Sequence, residues 1–175
     1  ISMSKMYSDK EVISKSLNSF NPKIKKDICG AIIVSPFGQP IPVNELNHIA
    51  NKFKLKLIYD AANTFVNLDY QINKSNFLTI CSYHPLKTLP GNESGSIICK
   101  KKFYQNLKSI INFGIYDLKN IKKRDIVSFG FNGKFSEYDA AILIVSLKKF
   151  NEYKKKYILF NNLIKKKLNL INYEN

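Results

Sequence analysis

Asp60 and Lys87 each stand just beyond a short apolar run. Asp60 closes Leu57-Ile58-Tyr59-Asp60, and Lys87 follows Leu78-Thr79-Ile80-Cys81-Ser82 across a Pro-containing turn. Short apolar runs bounded by turn signals read as buried strands, and in an open α/β sheet ligands bind outside the carboxyl ends of the strands. That reading gathers Asp60, Ser82 and Lys87 around one crevice. A primary amine and a carboxylate there are the two groups that pyridoxal phosphate chemistry needs. The lysine condenses with the cofactor aldehyde, and the aspartate pairs with the pyridinium nitrogen.

The neighbouring residues suit such a site. A lysine has the long flexible stem required to reach an aldehyde carbon and then carry a proton between two carbons. Asp60 comes directly after Leu-Ile-Tyr, with only the small Ala61 and Ala62 beyond it. This context suits a buried, partnered carboxylate and leaves room for a flat ring to approach the backbone. His48 and His84 are the only histidines, which sets aside a histidine-rich metal site. On composition alone, Lys87 reads as a surface lysine, Ser82 as a strand-end serine and Asn132, between Gly130 and Gly133, as a turn residue.

Four motifs in order change that balance: Asp60-Ala61-Ala62-Asn63, Ser82-Tyr83-His84-Pro85-Leu86-Lys87, Asn92-Glu93-Ser94-Gly95, and Gly130-Phe131-Asn132 leading into Ser136-Glu137 and Ala140-Ala141. Together they resemble the DegT/DnrJ/EryC1/StrS family of sugar aminotransferases, and the likeness runs from about Gly30 to Leu168. The resemblance implies the central part of a fold-type I large domain that binds pyridoxal 5'-phosphate. Lys87 would be the lysine that holds the cofactor covalently, Asp60 the partner of its ring nitrogen, and Ser82 a donor to its phosphate. Asn63 would stand near the ring oxygen, where the family mostly has His or Gln. Asn132 would extend across the interface of a homodimer to the neighbouring subunit's phosphate, so that the active site is shared. Asn92 and Ser94 stand where the family's turn has glycines. The implied reaction moves an amino group from an amino acid, glutamate first among the candidates, to a nucleotide-linked keto sugar in sugar or cell-surface polysaccharide biosynthesis. Related dehydratases replace the lysine by histidine, so Lys87 argues against that reaction. A vestigial, cofactor-free binding protein is the reading from a different class.

The elements that must position these residues are legible in outline. The expected fold is α/β, a mostly parallel sheet with flanking helices in a single domain. Ser8-Asp9-Lys10-Glu11 has the pattern of a capping box before a helix to about Ser19, ended by Asn21-Pro22. Cys29–Ser35 reads as a buried strand. Pro42 and Asn44 open a helix with Leu46, Ile49, Ala50 and Phe53 on its apolar face, and Leu57–Asp60 is the next strand. Strand, helix and strand in this order make a crossover unit of a parallel sheet. Asn63–Asn76 reads as loop with room for a short strand, followed by strands Thr79–Tyr83 and Ser96–Lys100. Phe103–Phe113 has helical spacing, Ile115–Val127 is a basic irregular connection, and a long kinked helix runs from Ser136 to about Leu168.

With 175 residues the chain can bury one sizeable core. It begins at Ile1, and the family's amino-terminal part and small carboxy-terminal domain have no counterpart, so it reads as an incomplete large domain. The net charge of +15 rests almost wholly on lysine, with Arg124 the only arginine. Bidentate recognition of phosphates and bases favours arginine, so the charge does not indicate a nucleic-acid partner. Cys29, Cys81 and Cys99, each in or beside an apolar run, read as buried free thiols of a reducing cytoplasm. No run reaches the roughly 18 apolar residues of a membrane-spanning helix.

Overall fold

The structure, a computed structural model, describes residues 7–68, 72, 75–115, 126 and 128–170, except the side chains of 66, 165 and 168–170. Most of the expected basic connection Ile115–Val127, with Arg124, lies outside the described residues. In chain order the described elements begin with helices α1 (Lys10–Ser19) and α2 (Pro22–Asp27), strand β1 (Gly30–Val34), helix α3 (Val43–Lys52) and strand β2 (Lys56–Asp60). Strands β3 (Leu78–Ser82) and β4 (Gly95–Ile98) follow, then helices α4 (Lys101–Ile110), α5 (Glu137–Lys148) and α6 (Phe150–Leu170).

Among the described residues the four strands form one sheet in the order β1-β2-β3-β4. β1, β2 and β3 run parallel, and β4 returns antiparallel along β3. The register sets Val34 beside Asp60 and Asp60 beside Ile80, so the carboxyl ends of the three parallel strands form one edge. The strand of α3's crossover unit is thus parallel to its predecessor, as the strand-helix-strand order requires.

Side chains alternate across a sheet, and here the two faces differ sharply. Ile33, Leu57, Tyr59, Thr79 and Cys81 are buried, and α3 covers this side with Val43, Leu46 and Ile49. Tyr59, 1% exposed, accepts the Ile41 N–H through its hydroxyl at 3.1 Å, and its ring meets Phe77 edge-on. On the opposite face Ile32, Val34, Ile80 and Ile97 are exposed, Ile32 to 68%. Asp60 and Ser82 share that open face by alternation and register, and both are half-buried. Asp60 is therefore less enclosed than its apolar sequence context suggests.

Local chemistry moves some boundaries. The cap of α1 is Asp9, not Ser8: its carboxylate accepts the N–H groups of Glu11 and Val12. Asn21-Pro22 does not simply end the chain's helical course. Asn21 caps α2, accepting the Lys23 N–H at 2.9 Å, with Pro22 in the first turn where its missing N–H costs nothing. The kink expected in the long final helix is the break at Lys149 between α5 and α6. Of the three free cysteines only Cys81 is buried; Cys29 precedes β1 in the open, and Cys99 leaves the edge strand half-buried. The described residues of 63–76 include a turn of 3-10 helix, Phe65–Asn67, and none of them is in a strand.

Candidate active site

Four of the five expected site residues converge on the carboxyl edge of the sheet. Asp60 is the last residue of β2 and Ser82 the last of β3. Asn63 and Lys87 follow them in the two connecting loops, and there the loops meet: Lys87 Nζ donates to Asn63 Oδ1 at 2.5 Å. An amine and the strand-end aspartate's own loop are thereby joined across parallel neighbours.

Backbone bonds hold each loop in place. After β2, the Asp60 carbonyl accepts from Ser35 N–H at 2.9 Å, and Ala61 N–H donates to the Ile80 carbonyl at 2.9 Å, which continues the ladder one residue past the strand. The Asp60 carboxylate turns to its own loop and accepts the Ala62 N–H at 3.0 Å. Thr64 N–H then donates to the Ala61 carbonyl at 2.9 Å, closing the turn that presents Asn63. Gly38, at φ +74°, packs behind that turn; a Cβ there would lie 2.8 Å from the Asn63 carbonyl oxygen. Only a residue without a side chain combines that dihedral with so close an approach.

After β3, Ser82 Oγ accepts the His84 N–H at 3.3 Å, which leaves its hydroxyl proton free to donate to a ligand. His84 Nδ1 accepts the Leu86 N–H at 3.2 Å, and its Nε2 faces Glu93 Oε1 at 3.3 Å. The imidazole is therefore engaged at both nitrogens and shapes the turn rather than offering a free base. Lys87 N–H donates to the His84 carbonyl at 2.8 Å, fixing the lysine backbone at the end of that turn. On the covered face behind, Tyr83 and Ser96 share a hydroxyl–hydroxyl bond of 2.6 Å.

Electrostatics distinguish the buried from the open side of this edge. Burial pushes the Cys81 thiol up to about 11, an effect that the hydrogen bond to Ser96 opposes and the nearby Asp60 carboxylate reinforces. Burial likewise raises the Tyr83 phenol, again opposed by Ser96. Cys81 is accordingly an inert core thiol within reach of the Asp60 charge.

Asn132 has no hydrogen bond to Asp60, Asn63, Ser82 or Lys87. It is exposed, and its segment lies along the end of α4: Asn132 bridges to Asn112, and Phe131 N–H donates to the Ile110 carbonyl at 2.8 Å. Two supporting contacts were not foreseen from the sequence. Glu93 faces His84, and Asp139 accepts from Asn92, and nothing in the spacing pairs positions so distant.

The donor set suits pyridoxal phosphate. It comprises an amine on a flexible stem, a carboxylate with Oδ2 unused by the Ala62 bond, and a serine with a free hydroxyl proton, beside the small Ala61 and Ala62. The hydroxyls of Thr64 and Thr88, the residues directly after Asn63 and Lys87, are buried without a hydrogen-bond partner among the described residues. Among the described residues no three His, Cys, Asp or Glu side chains cluster as a metal site would require.

The model of the DegT/DnrJ/EryC1/StrS aminotransferase family matches residues 9–174. The chain belongs to that family. It is 32% identical over 120 residues to a dTDP-4-amino-4,6-dideoxy-D-glucose transaminase of Shigella dysenteriae, a match covering 67% of this chain and 31% of the relative. It is 29% identical over 148 residues to a UDP-4-amino-4,6-dideoxy-N-acetyl-beta-L-altrosamine transaminase of Campylobacter jejuni, covering 82% of this chain and 39% of that one. The chain thus spans about a third of the length of these curated relatives. Among solved structures, a candidate PLP-dependent aminotransferase from Bacillus cereus superposes with a TM-score of 0.76 at 26% identity, over 93% of this chain and 42% of that one. The family assignment and the mostly parallel sheet with flanking helices agree with a part of the fold-type I architecture. No helix of the described residues is long and apolar enough to cross a membrane.

Proposed function

We propose that this protein is a pyridoxal phosphate-dependent aminotransferase that moves an amino group from an amino-acid donor to a nucleotide-linked keto sugar. The observation that carries the reading is the bond between Lys87 and the loop that begins at Asp60, at the carboxyl edge of the sheet, in a chain of this family. When bound, the cofactor supplies an aldehyde for amine exchange and a protonated ring that withdraws electron density from the donor's Cα. Asp60 holds the ring nitrogen in its charged form, which a half-buried carboxylate does more strongly than one in bulk water. Ser82 donates its hydroxyl proton to the cofactor phosphate. Lys87 would hold the cofactor and, as a free amine, would take the proton from the donor Cα. Ala61 and Ala62 leave the backbone approachable by a flat ring.

The substrate class rests on the two relatives, whose names specify nucleotide-linked 4-amino sugars with different bases, dTDP and UDP. Glutamate is the donor we propose. We also propose that the enzyme is a homodimer in which Asn132 reaches the partner's phosphate site; its exposure supports that role.

The test is optical and chemical. The full chain incubated with pyridoxal phosphate is expected to turn yellow, to lose the colour on borohydride reduction and to carry the reduced cofactor at Lys87. Lys87→Ala should do none of these. Colourless wild-type protein that shows no adduct at Lys87 would overturn the reading.

A further inference from the structure

The bond between Lys87 and Asn63 goes beyond the cofactor assignment, although it rests on Lys87 being the amine of the site. Asn63 stands where the family resemblance leads one to expect histidine or glutamine. Its side chain is exposed, yet its carboxamide oxygen takes the Lys87 ammonium at 2.5 Å. The two partners are anchored independently. Lys87 is fixed through its N–H to the His84 carbonyl, and Asn63 through the Ala61–Thr64 turn and the close approach of Gly38 behind it. The contact is therefore made between two loops whose backbones are braced. A carboxamide oxygen is a neutral acceptor, able to orient an ammonium while holding it less tightly than a carboxylate would.

We propose that Asn63 is the positioning residue for Lys87. Its carboxamide oxygen keeps the amine beside the carboxyl end of β2 until the cofactor aldehyde takes it. In that exchange the ammonium gives one proton to solvent, the amine nitrogen adds to the aldehyde carbon, and a C=N bond forms as the aldehyde oxygen leaves as water. The Asn63 carboxamide oxygen is released at the same time.

Trace acetylation of the cofactor-free full chain reads the contact directly. Acetic anhydride at substoichiometric amounts, followed by mass spectrometry, gives the labelling of Lys87 relative to the exposed Lys154. In Asn63→Ala the ratio is expected to rise about fivefold, the scale of one lost charge-assisted hydrogen bond near the surface. In Asn63→Asp it should fall below wild type, and in Asn63→Gln it should return towards wild type. Movement in opposite directions separates anchoring from a loosened fold, which would speed Lys87 in both the alanine and aspartate variants. Equal ratios in wild type, Asn63→Ala and Asn63→Asp would overturn the proposal, and so would acceleration in both variants. The measurement uses no pyridoxal phosphate, so its failure is distinct from failure of the cofactor reading, which would appear as absent borohydride-trapped label at Lys87 in the wild type.

Discussion

The Asn92 carboxamide donates to Asp139 Oδ1 at 2.6 Å, joining the turn before β4 to the first turn of α5. Ser136 Oγ donates to the other carboxylate oxygen at 2.6 Å and accepts the Asp139 N–H at 3.0 Å, so the cap of α5 and the turn share one acid. Asn92 occupies a position where the family has glycine, which could offer no such bond. The Ser136 hydroxyl, and after it Asn92, hold the Asp139 carboxyl below its ordinary 3.8. A carboxyl lowered in the folded state contributes stability that is complete above its ordinary value and lost as pH falls through the folded value. Wild type is therefore expected to lose more stability on acidification from about pH 6 to about pH 3 than Asp139→Asn, with Asn92→Ala between them. Thermal melts across that range check the ordering, and parallel curves for all three would refute it.

Tyr59→Phe tests the covered face. The hydroxyl is buried and is the acceptor for the Ile41 N–H, so its removal leaves a backbone donor without a partner inside the core. The expected cost is about 1–3 kcal/mol, read as a lower urea midpoint at unchanged slope. A loss within about 0.5 kcal/mol, the range of ordinary surface substitutions, would mean that Ile41 N–H finds water or another acceptor.

The cysteines should separate cleanly in alkylation. Cys29 is exposed, whereas Cys81 is buried and its thiol is pushed up to about 11. At pH 8 about one Cys81 in a thousand is thiolate, the nucleophilic form. Iodoacetamide is expected to modify Cys29 within minutes and Cys81 only when urea unfolds the chain. Comparable rates at both positions in native buffer would contradict the packing described for β3.

The sequence made the order of elements readable because short apolar runs between turn residues have few alternatives as strands, and β1 to β3 each fall within a residue or two of expectation. It did not reveal which face of the sheet is covered. Parallel strands are apolar on both sides, so Ile32 and Ile33 look alike in the chain although one is exposed and the other buried. The three cysteines suffered the same ambiguity. The candidate site was legible through residue types at strand ends, since chain direction alone brings Asp60 and Ser82 to one edge. The Lys87–Asn63 and Asn92–Asp139 bonds join positions far apart in sequence, where no periodicity or cap rule applies. Ser8 and Asp9 were both competent caps, and the carboxylate of Asp9, able to accept two N–H groups, prevailed.

Asp60→Asn separates charge from shape at the site. The amide keeps an oxygen for the Ala62 N–H and nearly the same volume, so the loop that carries Asn63 should stand unchanged. What is lost is the negative charge that would hold a pyridine nitrogen protonated. Trapping of pyridoxal phosphate at Lys87 is expected to persist, because that step requires only the amine. Aminotransferase turnover is expected to fall by about 10²-fold or more, the scale seen when one preorganised electrostatic partner of a developing charge is removed. A second readout needs no cofactor. The Asp60 carboxylate helps to raise the Cys81 thiol, so neutralising it should move the thiol's titration down, seen as a lower-pH onset of thiolate absorbance in a chain whose other cysteines are replaced by serine. If turnover survives the substitution while the Cys81 titration shifts, Asp60 is a neighbour of the core and not the partner of the ring. If neither changes, the carboxylate points away from both.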